Sequence, residues 1–295
     1  MELPRDYSAP DEVAPVGLHG RALVEERGDP RRRHRVAMVA ACQFPAGRGT
    51  PTRIFHMADQ LARRGHQVDV ITYHLGDRER LGAFRTHRIS DIKSYRKLSP
   101  GPTLQKLLVV DLYLASSLIG LLRRSRYDVI HAHHVEGLLA ALPARWMFKT
   151  PLVFDAHTML ETELPHYDSR RAGRLRTIGR TLDRHLPGRA DRVIAVSDEI
   201  RLRMIEHGLP AEKVSVVPNG VEEPFFDAPR PVPAARSGRP PCIVFAGNLA
   251  PYQGMDLLLQ AFAKSRRRRP DLRLRIVSDS ALDPYEALAL ETRGA

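Results

Sequence analysis

Two histidines, His131 and His133, alternate at the end of one apolar run, YDVIHAH, and Asp155 and His157 alternate at the end of another, PLVFDAH. Alternate residues of a strand share a face, so each pair is expected to point one way from a strand end. Imidazole and carboxylate groups so placed suit proton transfer, hydrogen bonding to a hydroxylated ligand, or metal ligation. Zinc calls for three or four ligands, and no third ligand of suitable spacing accompanies His131 and His133, so no metal site is expected. Histidines that simply pack are the general alternative, since the type is often partly buried. Glu161 and Glu163 follow in a polar loop that could meet a ligand. Nothing in their spacing fixes two carboxylates across a sugar, as glycoside hydrolysis requires. His157 is the stronger candidate.

Two glycine-bearing turns add a different chemistry. FPAGRGTPTR (Phe44–Arg53) carries Gly47 and Gly49 after the first apolar run, and AGNLAPYQG (Ala246–Gly254) carries Gly247 and Gly254 with Asn248 and Gln253 between them. Glycine lets the backbone approach a ligand closely, and a helix start behind it offers N–H groups to a phosphate. An isolated G-x-G is a weak signal. A dinucleotide site would need G-x-G-x-x-G and an acidic residue ending the second strand; that strand ends in Thr72 and Tyr73, which argues against it.

These residues need a scaffold that gathers strand ends. Apolar runs of strand length recur at Arg35–Ala41, His66–Tyr73, Tyr127–His133, Pro151–His157, Arg192–Ser197 and Lys213–Pro218, with a shorter one near Phe84–Ser90. Helical stretches alternate with them, which predicts a doubly wound parallel sheet with right-handed crossovers. The division expected is a disordered leader at 1–34, a Rossmann-like domain at 35–221, a linker at 222–241 and a partial second domain at 242–295. That last part supplies only strands at Ile243–Gly247 and Leu272–Val277 and helices at Met255–Ser265 and near Pro284–Thr292. Two strands are too few to bury both faces of a sheet, so the second Rossmann-like domain reads as incomplete.

The 295 residues carry a net charge of +12, with arginine runs at Arg31–Arg33, Arg123–Arg126 and Ser265–Arg269. Such a balance suits nucleic acid, anionic lipid or phosphorylated ligands. Nucleic acid is not expected, because no zinc spacing or stacking signature accompanies the charge and aromatics are 6%. An anionic membrane surface is the better match, led by the basic helix at Arg170–Leu186. The most apolar helix, Leu107–Leu122, contains Asp111 and falls short of the ~20 residues of a bilayer span. With no segment of signal-peptide form, a cytoplasmic protein is expected, peripheral at the inner face of the membrane. Cys42 and Cys242 make no disulfide framework and read as buried small apolar residues.

The wording of VPNGV (Val217–Val221), of ARRGHQVDVIT before it, and of CIVFAGNLAPYQGMDLLLQAF (Cys242–Phe262) resembles the family 4 glycosyltransferases, which have the two-domain GT-B fold. The resemblance covers about Arg35 to Val277. It implies retaining transfer of a sugar from a nucleotide diphosphate sugar to an acceptor, in glycolipid, polysaccharide or small-glycoside synthesis, without metal or other cofactor. It further implies that His133 contacts the transferred sugar, that the Gly47–Gly49 loop and the turn of Gly247, Asn248, Gln253 and Gly254 hold the donor diphosphate, and that His157 lies on the acceptor side. Many members have Glu-Pro after the histidine, where this chain has His134-Val135, and Arg or Lys where Asn248 and Gln253 stand. A glutamate motif for the nucleotide sugar and a helix returning to the first domain are expected beyond Ala295, so a second polypeptide completing the donor domain is a further expected partner. A catalytically silent half-enzyme that binds acceptor or partner is the rival reading.

Overall fold

The computed structural model describes residues 32–47, 49–95, 109–166, 169–221, 240–249, 253–278 and 285. Most of the expected leader and linker, Arg48, the first residues of the helix expected at Leu107–Leu122 and all but Tyr285 of the one near Pro284–Thr292 lie outside the described residues.

The first unit runs β1 (Arg35–Ala40), α1 (Gly49–Arg63), β2 (Gln67–Thr72), β3 (Arg85–Arg88), α2 (Asp111–Arg124), β4 (Val129–His133), α3 (His134–Phe148), β5 (Leu152–Ala156), α4 (Leu160–Glu163), α5 (Ala172–His185), β6 (Arg192–Ala195), α6 (Asp198–Glu206) and β7 (Val214–Val216). Its seven strands are all parallel, in the order β3-β2-β1-β4-β5-β6-β7. The chain therefore starts at mid-sheet, winds to one edge, returns beside β1 and winds to the other. The order reverses between β1 and β4, the point at whose carboxyl ends open parallel sheets generally bind ligands. Register brings Ala40, His133 and Asp155 to one level across β1, β4 and β5.

β1 shows why the sequence takes this form. Ala37 and Val39 belong to one apolar cluster and Val36, Met38 and Ala40 to another, so alternate residues feed cores on opposite faces. A strand covered on both sides must be apolar throughout. Ile54, Phe44, Leu114, Leu118 and Leu138 are fully buried against it. Each such side chain contributes about 1.5–3 kcal/mol.

The second unit consists of the parallel pair β8 (Cys242–Ala246) and β9 (Arg273–Val277) with α7 (Met255–Arg268). Leu249, Met255, Leu259 and Tyr285 form its small core, while Ile243, Val244 and Val277 stay exposed. Cys242 is exposed too, which corrects the expectation that both cysteines are buried; Cys42 is half-buried. Among the described residues, β8 has one neighbouring strand and one helix to cover it. Among the described residues no helix is long and apolar enough to cross a membrane.

Candidate functional site

The loop after β1 is held by its neighbours before any ligand enters. Phe44 N donates to the Leu75 carbonyl (3.2 Å) and Asp77 N to that of Pro45 (2.9 Å). Thr72 Oγ1 donates to the Cys42 carbonyl, and Arg88 reaches the carbonyls of Phe44, Leu75 and Asp77. Gly47 follows this braced segment and Gly49 opens α1.

Arg53 lies one turn into α1 on its buried face, beside Ile54. Its Nη2 donates to the Val217 carbonyl at 2.8 Å, and its Nη1 to the Pro218 carbonyl and Asn219 Oδ1, each at 3.1 Å. The same guanidinium meets Asp155 at 3.3–3.4 Å. Residues from α1, the end of β5 and the turn after β7 thus share one cation.

Asp155 is fully buried and also faces three imidazoles: His131 Nε2 at 3.5 Å, His133 Nδ1 at 3.6 Å and His157 Nε2 at 3.8 Å. His133 Nδ1 lies 3.3 Å from His157 Nε2, and the His131 and His133 rings stack at 4.4 Å. His134, in the left-handed region at φ 62°, sets its ring 4.7 Å from that of His157. Gly137 lets the start of α3 approach β1, because a Cβ there would stand 3.2 Å from the Val39 carbonyl oxygen.

The site disfavours the charged forms of His133 and His157. Burial pushes His133 well below the ordinary histidine value, and the neighbouring His131, His157, His134 and Arg53 push the same way. Burial likewise takes His157 down to about 3, with His134 and Arg53 adding and Asp155 opposing. Burial would raise Asp155, yet its contacts with His131 and His157 and the Arg53 cation hold it below the ordinary carboxylate value. A neutral imidazole has one N–H and one lone pair. Asp155 and the ring nitrogen of His157 both face His133 Nδ1, so its proton belongs there. That assignment leaves His133 Nε2, buried and without a hydrogen-bond partner, as an acceptor.

His131, His133 and Asp155 also bring three ligand atoms within 4.8 Å of one another. Asp155 is the third ligand that sequence spacing did not reveal. The carboxylate already carries the Arg53 cation on both oxygens, which opposes a second cation at the same point.

The profile of Glycosyltransferase Family 4 matches residues 47–223. This chain belongs to glycosyltransferase family 4. D-inositol 3-phosphate glycosyltransferase of Acidothermus cellulolyticus is 28% identical over 92% of this chain and 62% of its own length. The corresponding protein of Kineococcus radiotolerans is 32% identical over 77% of this chain and 54% of its own. The chain thus spans little more than half the length of these relatives. Among solved structures, Thermosynechococcus elongatus sucrose-phosphate synthase superposes with a TM-score of 0.65 at 17% identity, covering 88% of this chain and 66% of that one. Anabaena HepE in complex with UDP and glucose gives 0.60 at 19%, covering 89% and 65%. Those likenesses establish the α/β, GT-B-like fold.

Within this family member, His133 and His157 come together, and the Gly47 and Gly49 loop precedes the helix that reaches them through Arg53. Gly247, Asn248, Gln253 and Gly254 stand on the second unit: Gly247 follows β8, Gln253 is exposed, and Gly254 caps α7 with φ 67°. The glutamates are corrected. They form α4 rather than a loop, Glu161 pairs with Arg180 and lies 3.5 Å from His207, and Glu163 accepts from Thr158. Sequence reading passed over Arg53; its signal was an arginine set among the apolar positions of α1.

Proposed function

We propose that the chain supplies the acceptor-side domain and part of the donor side of a glycosyltransferase that takes a sugar from a nucleotide diphosphate sugar with retention of configuration. The observation that carries this is the bare acceptor nitrogen of His133, buried at the carboxyl end of β4 beside the switch point of the sheet. A sugar hydroxyl donating to Nε2 would be oriented by an imidazole that Asp155 and His157 hold in one tautomer. Because His133 is fully buried, that contact requires the surrounding side chains to part. Catalysis then rests on positioning and charge stabilisation, with donor phosphate oxygens taking the acceptor proton. The Gly47–Gly49 loop and the Gly247–Gly254 turn are the proposed diphosphate contacts, and His157 is assigned to the acceptor side.

The relatives' names include inositol 3-phosphate, and a net charge of +12 is compatible with an anionic acceptor. Peripheral contact with an anionic membrane through α5 remains part of the proposal, since Arg174, Arg176 and Arg184 are exposed along it. Asn248 and Gln253, neutral where a departing diphosphate gains from a cation, favour a second reading as a binding half without turnover. Release of nucleoside diphosphate from a panel of UDP- and GDP-sugars tests the first reading. It predicts release that His133→Ala abolishes; binding without release supports the second.

A further inference from the structure

We propose that Arg53 is a positioning residue that couples the Val217–Asn219 turn, where the chain leaves the seven-stranded sheet, to the histidine cluster at the sheet's centre. The guanidinium is a planar fork of five donors in fixed relation to one another. One part of that fork serves two carbonyls and a side-chain amide on the turn, 164 to 166 residues away in sequence. The rest serves Asp155 on β5, and the Arg53 side chain is only 7% exposed. A rigid group so enclosed cannot follow a displaced turn without changing its hold on the carboxylate. Asp155 in turn faces His131, His133 and His157 within 3.8 Å. Movement of the turn therefore alters the field at the histidines, and a ligand or proton at the histidines must bias the turn by the same free energy. The coupling does not rest on the transferase reading.

Asn219 is exposed and bonds to Arg53, so it offers a handle outside the histidine cluster. Asn219→Asp adds a charge that draws the guanidinium toward the turn and away from Asp155. Asn219→Ala removes an acceptor there and lets Arg53 settle on Asp155. With histidine rings labelled in the whole chain, the 15N shifts of His133 and His157 near neutral pH are expected to move in opposite directions in the two variants. Both displacements should vanish in an Arg53→Gln background, and Arg53→Lys should not restore them, because an ammonium has no planar fork. A purely structural Arg53 would lower stability yet leave the rings indifferent to Asn219. Ring shifts that ignore both Asn219 variants, or that respond equally with Arg53 replaced, overturn the coupling. Should Arg53→Gln fail to fold, the opposite signs of the two Asn219 variants decide alone. Transferase activity enters none of these readings, so their failure is separate from failure of the proposed function.

Discussion

A Cβ added at Gly76 would stand 2.3 Å from the carbonyl oxygen of Phe44. The loop after β2 and the loop after β1 are therefore in backbone contact, and only a residue without a side chain lets them meet. Gly76 also sits at φ 129°, a region L side chains rarely adopt. The contact places Phe44, and so fixes where the glycine loop begins. Gly76→Ala is expected to destabilise the fold by about 3 kcal/mol, combining backbone strain with an unrelieved clash. Urea unfolding of the two proteins measures it, and an alanine variant within 0.5 kcal/mol, the range of an ordinary surface change, would show that the loops part without cost.

Asp69, buried in β2, receives Tyr127 Oη (2.9 Å), Arg85 Nε (2.8 Å) and a ring nitrogen of His87 (2.7 Å). Burial alone would raise its pKa, but the hydrogen bonds from His87, Arg85 and Tyr127 bring it down to about 2. A carboxyl depressed in the fold stabilises above its unfolded value, 3.8, and loses that contribution as pH falls through about 2. Asp69→Asn is expected to cost about 2 kcal/mol, discounted because Arg85 is largely in solvent. The gap between the two proteins should be constant from neutral pH to about 4 and close toward 2, and a gap that closes already near neutrality counts against the assignment.

The parallel sheet was legible because both-face burial leaves continuous apolar runs, as β1, β4 and β5 show. That His133 and His157 meet was legible because both stand at carboxyl ends of parallel strands. The reversal of strand order was not, since periodicity says nothing of which strand lies beside β1. Arg53 was hidden for a related reason. Its partners Asp155 and Asn219 are 102 and 166 residues away, and only strand order brings α1 to them. α4 escaped notice because four residues, LETE, contain no full helical period.

The histidine cluster gives the fold a second acid sensitivity at a different pH. His157 falls from 6.5 to about 3 on folding, so the unfolded chain takes a proton that the native state refuses. Stability from this source is complete above about 6.5 and is lost progressively as pH falls toward 3, with a slope of about 1.4 kcal/mol per pH unit for each such histidine. His133, also held neutral, adds to it. Urea midpoints measured between pH 7.5 and 5 should fall with acid, and His157→Gln, neutral at every pH, should flatten the slope. A midpoint independent of pH across that range would show that the native cluster accepts protons readily.

Turnover by the 295-residue chain alone is expected to be weak. Among the described residues, the two-stranded β8–β9 sheet leaves Ile243, Val244 and Val277 exposed, an apolar face open to further strands. Asn248 and Gln253 carry no positive charge where the proposed diphosphate contact lies. Lost charge contacts of this kind cost about 3 kcal/mol in a transition state, roughly a hundredfold in rate. Adding a polypeptide that supplies the remaining donor-side strands should raise nucleoside diphosphate release and protect β8 and β9 amides from exchange. His133→Ala should abolish the gain in release while leaving that protection intact, because His133 lies in the other sheet. Fast release by the chain alone, lost on His133→Ala, would show instead that neither further strands nor a cation at those two positions is needed.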